Sequence, residues 1–74
     1  MRNLLVWKTR IGPFYIAEMD GRFHAVYDNE SLGSYASLEA AAEELAGGHT
    51  FSISSGIDTA TLGISENLSG WQRI

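Results

Sequence analysis

The sequence has no cysteine among its 74 residues. Disulfides are therefore excluded, and so is any metal site built on thiolate ligands. The absence is typical of proteins in a reducing compartment, so we expect a cytoplasmic location. A chain this short buries only about 60% of the surface that its unfolded form exposes. Without crosslinks, its stability must come from a small hydrophobic core.

Long apolar runs are also missing, since no uninterrupted run exceeds four residues. A membrane-spanning helix needs about 20 apolar residues, and a signal peptide needs an apolar stretch of about 7–15. We therefore expect no membrane partner and no signal peptide.

Basic residues are few and scattered. Five of them stand against nine acidic residues, which gives a net charge of −4. Proteins that bind nucleic acid normally carry a basic stripe that neutralises phosphates. The composition therefore argues against a nucleic-acid partner.

Hydrophobic residues make up 45% of the chain, and several form strand-like runs. Runs at residues 4–9, 14–19 and 22–27 are rich in branched and aromatic side chains, which favours β-strands. Asp20-Gly21 supplies the positive φ angles of a tight hairpin turn, and Ile11-Gly12-Pro13 predicts the preceding turn. A short edge strand is predicted at residues 31–35, where Gly33 weakens the strand interior.

One amphipathic helix is predicted between Ser37 and Gly47. Its apolar stripe recurs at helical spacing and comprises Leu38, Ala41, Ala42 and Leu45. Ser37 is suited to cap the N-terminus, and Gly47 is suited to end the helix.

Residues 48–70 are rich in Gly, Ser, Thr and Asn, yet too long for an ordinary connection, so we expect ordered small elements there. Helical turns are predicted after Asp58 and after Ser65. Apolar residues that pin this segment to the core are Phe51, Ile53, Ile57, Leu62, Ile64 and Leu68. A last strand at residues 71–74 is predicted to pair beside the first, which would bring Trp7 and Trp71 together.

These elements predict a single α+β domain over residues 1–74. We expect an antiparallel meander sheet of three to five strands with one amphipathic helix packed on one face.

Segments of the sequence show two resemblances to known families. The first rests on five segments: Trp7-Lys8-Thr9, Phe14-Tyr15-Ile16, Leu32-Gly33-Ser34-Tyr35, Ala46-Gly47-Gly48-His49-Thr50-Phe51 and Ser54-Ser55-Gly56-Ile57-Asp58-Thr59. They resemble a family of short bacterial proteins, a domain of unknown function, and the resemblance implies no mechanism.

The second covers only the hairpin and the helix. Leu32-Gly33-Ser34-Tyr35 followed by residues 37–46 is similar to AP2-type DNA-binding domains, in which a glycine-aromatic strand leads into an alanine-rich helix. The resemblance implies a sheet whose arginines and tryptophans read DNA. In this chain the corresponding strands carry mostly acidic residues, namely Glu18, Asp20, Asp28 and Glu30 beside Arg22 and His24.

Candidate chemistry centres on the loop after the helix. His49 follows two glycines and is a candidate ligand-binding or acid-base group, or else a residue that satisfies the helix end. Ser54, Ser55 and Asp58 belong to a polar cluster that either binds an anion or forms hydrogen-bonded turns. Neither a nucleophile motif nor metal-ligand spacing occurs, so we expect no enzyme activity, no metal and no cofactor.

The aromatic residues exceed what one helix can cover, so we expect either an exposed partner surface or a C-terminal segment folded over it. Trp7 and Tyr35 are candidate contact residues. We therefore predict a protein-interaction or small regulatory module, with a homodimer as one form. Its contact surface would be the uncovered sheet face or the edge strand at residues 31–35. The alternatives are a nucleic-acid-associated domain of AP2-like topology and a small ligand-binding or enzymatic domain around His49 and Asp58.

Overall fold

The computed structural model describes residues 2–50 and 56–74. In this part of the chain the elements are β1 (Arg2–Thr9), β2 (Gly12–Met19), β3 (Arg22–Tyr27), β4 (Glu30–Tyr35), α1 (Leu38–Ala46) and β5 (Gln72–Arg73). Two 3-10 helices, Thr59–Thr61 and Leu68–Gly70, lie between α1 and β5. No helix in the described ranges is long and apolar enough to cross a membrane.

All strands pair antiparallel in the order β4-β3-β2-β1-β5, and α1 packs against this sheet. The α+β meander with one helix on one face is therefore confirmed. The β2–β3 turn has positive φ at both Asp20 and Gly21, as a primed hairpin turn requires. One edge strand is β4, as expected, and β5 lies at the other edge.

The first turn comprises Arg10 and Ile11, so only Ile11 of the predicted turn belongs to it. Gly12 and Pro13 already belong to β2, where they pair with Thr9 and Lys8. Proline is tolerated at this position because the pairing of β2 with β3 begins only at Phe14. Pro13 therefore extends past the end of β3, and its missing N–H removes no hydrogen bond to that strand.

The helix begins and ends where the sequence indicates. The Ser37 hydroxyl accepts from the Ala40 N–H at 3.0 Å, which caps the first turn. Gly47 is the C-cap, but the positive φ occurs at Gly48. The N–H groups of Gly48 and His49 donate to the carbonyls of Leu45 and Glu44, which makes a Schellman motif.

The core lies between α1 and one face of the sheet. Ala41, Ala42 and Leu45 are fully buried, whereas Leu38 is only partly buried. Sheet residues in the same cluster are Leu5, Phe14, Ile16, Ala25 and Leu32. The alanines allow the helix to approach the sheet closely, because they place no bulky side chain between the two layers.

The C-terminal segment completes this core. Ile64 is buried, and Ile57, Leu62 and Leu68 pack against the cluster, whereas Phe51 and Ile53 lie outside the described residues. As predicted, β5 pairs with β1, and the ring centroids of Trp7 and Trp71 are 6.0 Å apart.

Both helical turns in this segment are present, and one of the two caps is the predicted residue. Asp58 caps the first, since its carboxylate accepts from the Ala60 N–H at 3.0 Å. Asn67 caps the second in place of Ser65. The Ser65 hydroxyl instead accepts from the Asn67 N–H, and so forms the turn that leads into that cap.

Replacing Leu45 with Ala should lower the free energy of unfolding by about 2–5 kcal/mol, because the site is fully buried between the two layers. A domain of this size has only about 4–11 kcal/mol in total. Glu43→Ala, on the exposed side of the same helix, is the matched control and should unfold like the wild type. Urea titration by circular dichroism measures both. A Leu45→Ala midpoint equal to that of the control would contradict the packing described above.

Candidate functional site

The loop after α1 brings His49 next to the helix end. Its Nδ1 lies 3.2 Å from Oε2 of Glu44, and the two side chains are 71% and 43% exposed. Such exposure means that solvent screens the pair, and the imidazole lies in no enclosed cavity. The His49 backbone N–H donates to the Glu44 carbonyl at the end of the helix. His49 therefore satisfies the helix end, as one of the two alternatives predicted, and it does so with its main chain.

Tyr35 lies beside the same loop because of Gly33. Gly33 has a φ of +154°, and a β-carbon at this position would overlap the hydroxyl and ring of Tyr35. Tyr35, His49 and Thr50 line one shallow cleft along β4. Burial raises the pKa of the Tyr35 phenol, and the Glu44 carboxylate raises it further because a second negative charge nearby is unfavourable.

Asp58 and its neighbour attach the loop to the helix. The Asp58 carboxylate lies against Gly48 and holds the Ala60 N–H, as noted above. Next to it, the Thr59 hydroxyl donates to the Leu45 carbonyl at 2.7 Å in a buried site. The two other serines predicted for this cluster, Ser54 and Ser55, lie outside the described residues.

His49 and Asp58 therefore have separate partners. The His49 side chain pairs with Glu44, and the Asp58 side chain caps a turn. Across residues 2–50 and 56–74, no three side chains among His, Asp and Glu are placed to hold a metal ion. What these contacts can do is join the helix end to the following segment.

Trp7 lies at the seam between β1 and the C-terminal segment. Its ring packs on Trp71 and is so close to Gly70 that a β-carbon there would overlap it. The Trp71 indole N–H donates to the Ser65 carbonyl at 2.9 Å. The structure thus places Trp7 on the helix side of the sheet, apart from Tyr35 and His49.

The second face of the sheet has a different composition, and we call it the open face. Side chains of directly paired residues share a face, so register defines this surface. It includes Val6, Lys8, Tyr15, Ala17, Met19, Arg22, His24 and Val26. Ala17 and Val26 are buried but lie outside the main core cluster, as expected for residues on the opposite side from α1.

Within the described ranges, α1 and the C-terminal core residues pack on the other face, so these elements leave the open face uncovered. At its centre Tyr15 stands between Val6 and Val26, and Met19 is 42% exposed. Every aromatic residue in the described ranges is at least partly buried. The expected aromatic patch is thus reduced to one half-buried tyrosine.

Charge is segregated between the two faces. The strand positions of the open face carry Lys8, Arg22 and His24 and none of the nine acidic residues. One acidic residue, Asp28 in the turn after β3, borders this face and lines a pocket together with Tyr15. Arg22 donates to the Ser34 hydroxyl at 2.9 Å, and His24 Nδ1 lies 3.0 Å from the Ser31 hydroxyl. These basic groups are therefore held by neutral partners.

The four acidic residues in the strand region lie outside the strand positions of the open face. Asp20 and Asp28 occupy turns, whereas Glu18 and Glu30 pair with Phe23 and Tyr27 on the helix side. A sequence signal for this segregation exists, since residues 23–72 contain seven acidic residues and no Lys or Arg. The net charge of the whole chain does not reveal this separation of acidic and basic residues.

Comparison with known proteins identifies no relative of this chain. No family model, curated protein or solved structure matches the chain. The resemblances to the short bacterial family and to AP2-type domains therefore stay predictions.

Thr59→Val keeps the shape of the side chain but removes the buried hydrogen bond to Leu45. We expect the free energy of unfolding to fall by about 1 kcal/mol, the usual net contribution of one such bond. Thr61→Val is the matched control, because its hydroxyl bonds to the Asp58 carbonyl in an exposed position. Urea midpoints of the two variants should therefore differ, and equal midpoints would refute the role assigned to Thr59.

Tyr35→Phe should change how stability depends on alkaline pH. Because the folded pKa of Tyr35 is raised, its stabilising contribution is complete below the unfolded pKa of about 10 and is lost as pH rises through the folded value. The variant lacks this loss, so its unfolding free energy should fall less steeply than that of the wild type above about pH 10. Urea titrations at neutral and alkaline pH test this. Parallel curves for the two proteins would show that Tyr35 does not contribute.

Proposed function

We propose that this domain is a non-enzymatic protein-interaction or small regulatory module that acts in the cytoplasm, with the open face as its contact surface. The observation that carries the proposal is a sheet face that the described helix and C-terminal core residues leave uncovered and whose strand positions bear no acidic residue. A surface whose charged side chains have the same sign, next to apolar side chains, is typical of a site that selects its partner electrostatically.

Tyr15 is the expected anchor of this surface. It lies at the middle of the sheet between Val6 and Val26, and tyrosine is enriched in interaction hot spots because it combines a large apolar ring with a polar hydroxyl. Met19 adds an exposed, adaptable apolar side chain at one end.

The size of the open face favours a weak, reversible interaction. Strands spaced about 4.8 Å apart and about 20 Å long give a five-stranded sheet a flat area of roughly 500 Å². Stable complexes bury about 800 Å² on each partner. A module of this kind suits transient regulation better than permanent assembly.

The edge strand β4 is a less suitable contact surface than the open face. Its pairing with β3 shifts register between Ala25 and Val26, where Leu32 is the extra residue of a bulge. Bulges twist an edge and interrupt the regular row of backbone groups that an incoming strand would need. The cleft beside Tyr35 and His49 is shallow and solvent-exposed, which supports a structural role in preference to catalysis.

Association with nucleic acid is a second candidate, favoured by Lys8, Arg22 and the lack of acidic residues at the strand positions of the open face. However, Lys8 and Arg22 lie at opposite ends of the sheet, roughly 20 Å apart from strand geometry. Two separated cations neutralise few phosphates, so we expect no binding tighter than micromolar at about 150 mM salt. Fluorescence anisotropy with labelled duplex and single-stranded DNA measures this. Sub-micromolar binding that weakens steeply with salt would favour the nucleic-acid function instead.

The protein-interaction function can be tested by incorporating a photoreactive aromatic amino acid, p-benzoylphenylalanine, at position 15 in the cells that produce this protein. We expect discrete protein adducts, because Tyr15 is at the centre of the open face. The same group at position 30, an exposed position outside the open face, is the control for random contact, and adducts seen at both positions are discounted.

A partner captured only at position 15 is then purified and titrated against the wild type and Lys8→Glu. We expect the charge reversal to weaken binding. If position 15 gives no specific adduct although the variant folds and incorporates the photoreactive group, the proposal is wrong.

A further inference from the structure

We propose that a second copy of this chain docks on the open face through its acidic helix layer, so that copies associate face to back. This inference rests on the proposed function and names one partner for the same surface. Charge complementarity between two surfaces of the one chain carries it.

The helix layer consists of α1 and residues 56–70. It contains no Lys or Arg and carries five of the nine acidic residues, Glu39, Glu43, Glu44, Asp58 and Glu66. Glu39 and Glu43 are exposed one turn apart, and they line a shallow cleft together with Glu66. Because α1 covers the opposite side of the sheet from the open face, the two broad sides of the molecule differ in the sign of their charge.

A symmetric dimer through two open faces is disfavoured by the same charges. It would bring Lys8 and Arg22 of one copy towards the same groups of the other, and like charges in contact oppose association. A contact between two different surfaces avoids this repulsion and leaves one open face and one helix layer free at the ends. Longer assemblies are therefore expected as concentration rises.

The contact should depend strongly on salt. Lys8, Glu39 and Glu43 are exposed, so the attraction between Lys8 and these glutamates is screened over a Debye length of about 10 Å at 0.1 M salt. Arg22 is the stronger candidate for a direct contact, because a guanidinium can hold a carboxylate with two parallel hydrogen bonds. Its existing bonds to Ser34 hold the head group in place on β3.

Sedimentation velocity of the full chain over a concentration series tests the inference at about 20 mM and about 500 mM salt, concentrations on either side of the screening range. We expect the average mass to rise above the 8.1 kDa of one chain at low salt and to return to it at high salt. Monomers at every concentration in low salt would overturn the inference.

Charge-reversal variants identify the surfaces. Lys8→Glu with Arg22→Glu, or Glu39→Lys with Glu43→Lys, should each weaken self-association by about tenfold or more, because repulsion replaces attraction. Glu30→Lys, an exposed reversal outside both surfaces, is the control and should associate like the wild type. Circular dichroism confirms that each variant is folded.

Mixing the two double variants is the decisive measurement, because the reversed open face of one then matches the reversed helix layer of the other. We expect the mixture to associate although neither variant does so alone. If the wild type associates but mixing restores nothing, the face-to-back arrangement is wrong. If the wild type stays monomeric while position 15 captures a different protein, this inference fails and the proposed function stands; with no capture either, both fail.

Discussion

The structure depends on how one nine-residue helix covers one face of a five-stranded sheet. Small side chains at Ala41 and Ala42 bring α1 close to the strands, and Leu45 fills the space between. A helix of this length spans only about 14 Å, which is less than the width of the sheet. The C-terminal segment therefore supplies Ile64 and Trp71 to the same core, and these apolar groups are thereby committed to the helix side.

Local chemistry made much of this fold predictable. Asp20-Gly21 specifies its turn by backbone conformation alone, and Ser37 specifies a helix start by the hydrogen bond it offers. Pairing of the two tryptophans was also predictable, because a strand at the end of the chain finds its simplest place beside the first. The position of the first turn was not, since it depends on how far β3 extends alongside β2.

The candidate site was less predictable than the fold. His49 and Asp58 are only nine positions apart in the sequence, yet their side chains have different partners, Glu44 and the Ala60 N–H. The open face emerges only from register, because alternation assigns Lys8, Arg22 and His24 to one side and Glu18 and Glu30 to the other. A total charge of −4 averages over both sides and hides their difference.

The buried bond from Thr59 to the Leu45 carbonyl has a consequence for how the domain unfolds. It joins two positions that are 14 residues apart, so it fixes the 3-10 helix Thr59–Thr61 directly to the last turn of α1. Because leaving such a buried group without a partner costs about 1–3 kcal/mol, a small displacement of one element is opposed by the other. The two elements are therefore expected to open to solvent together, as parts of one cooperative unit.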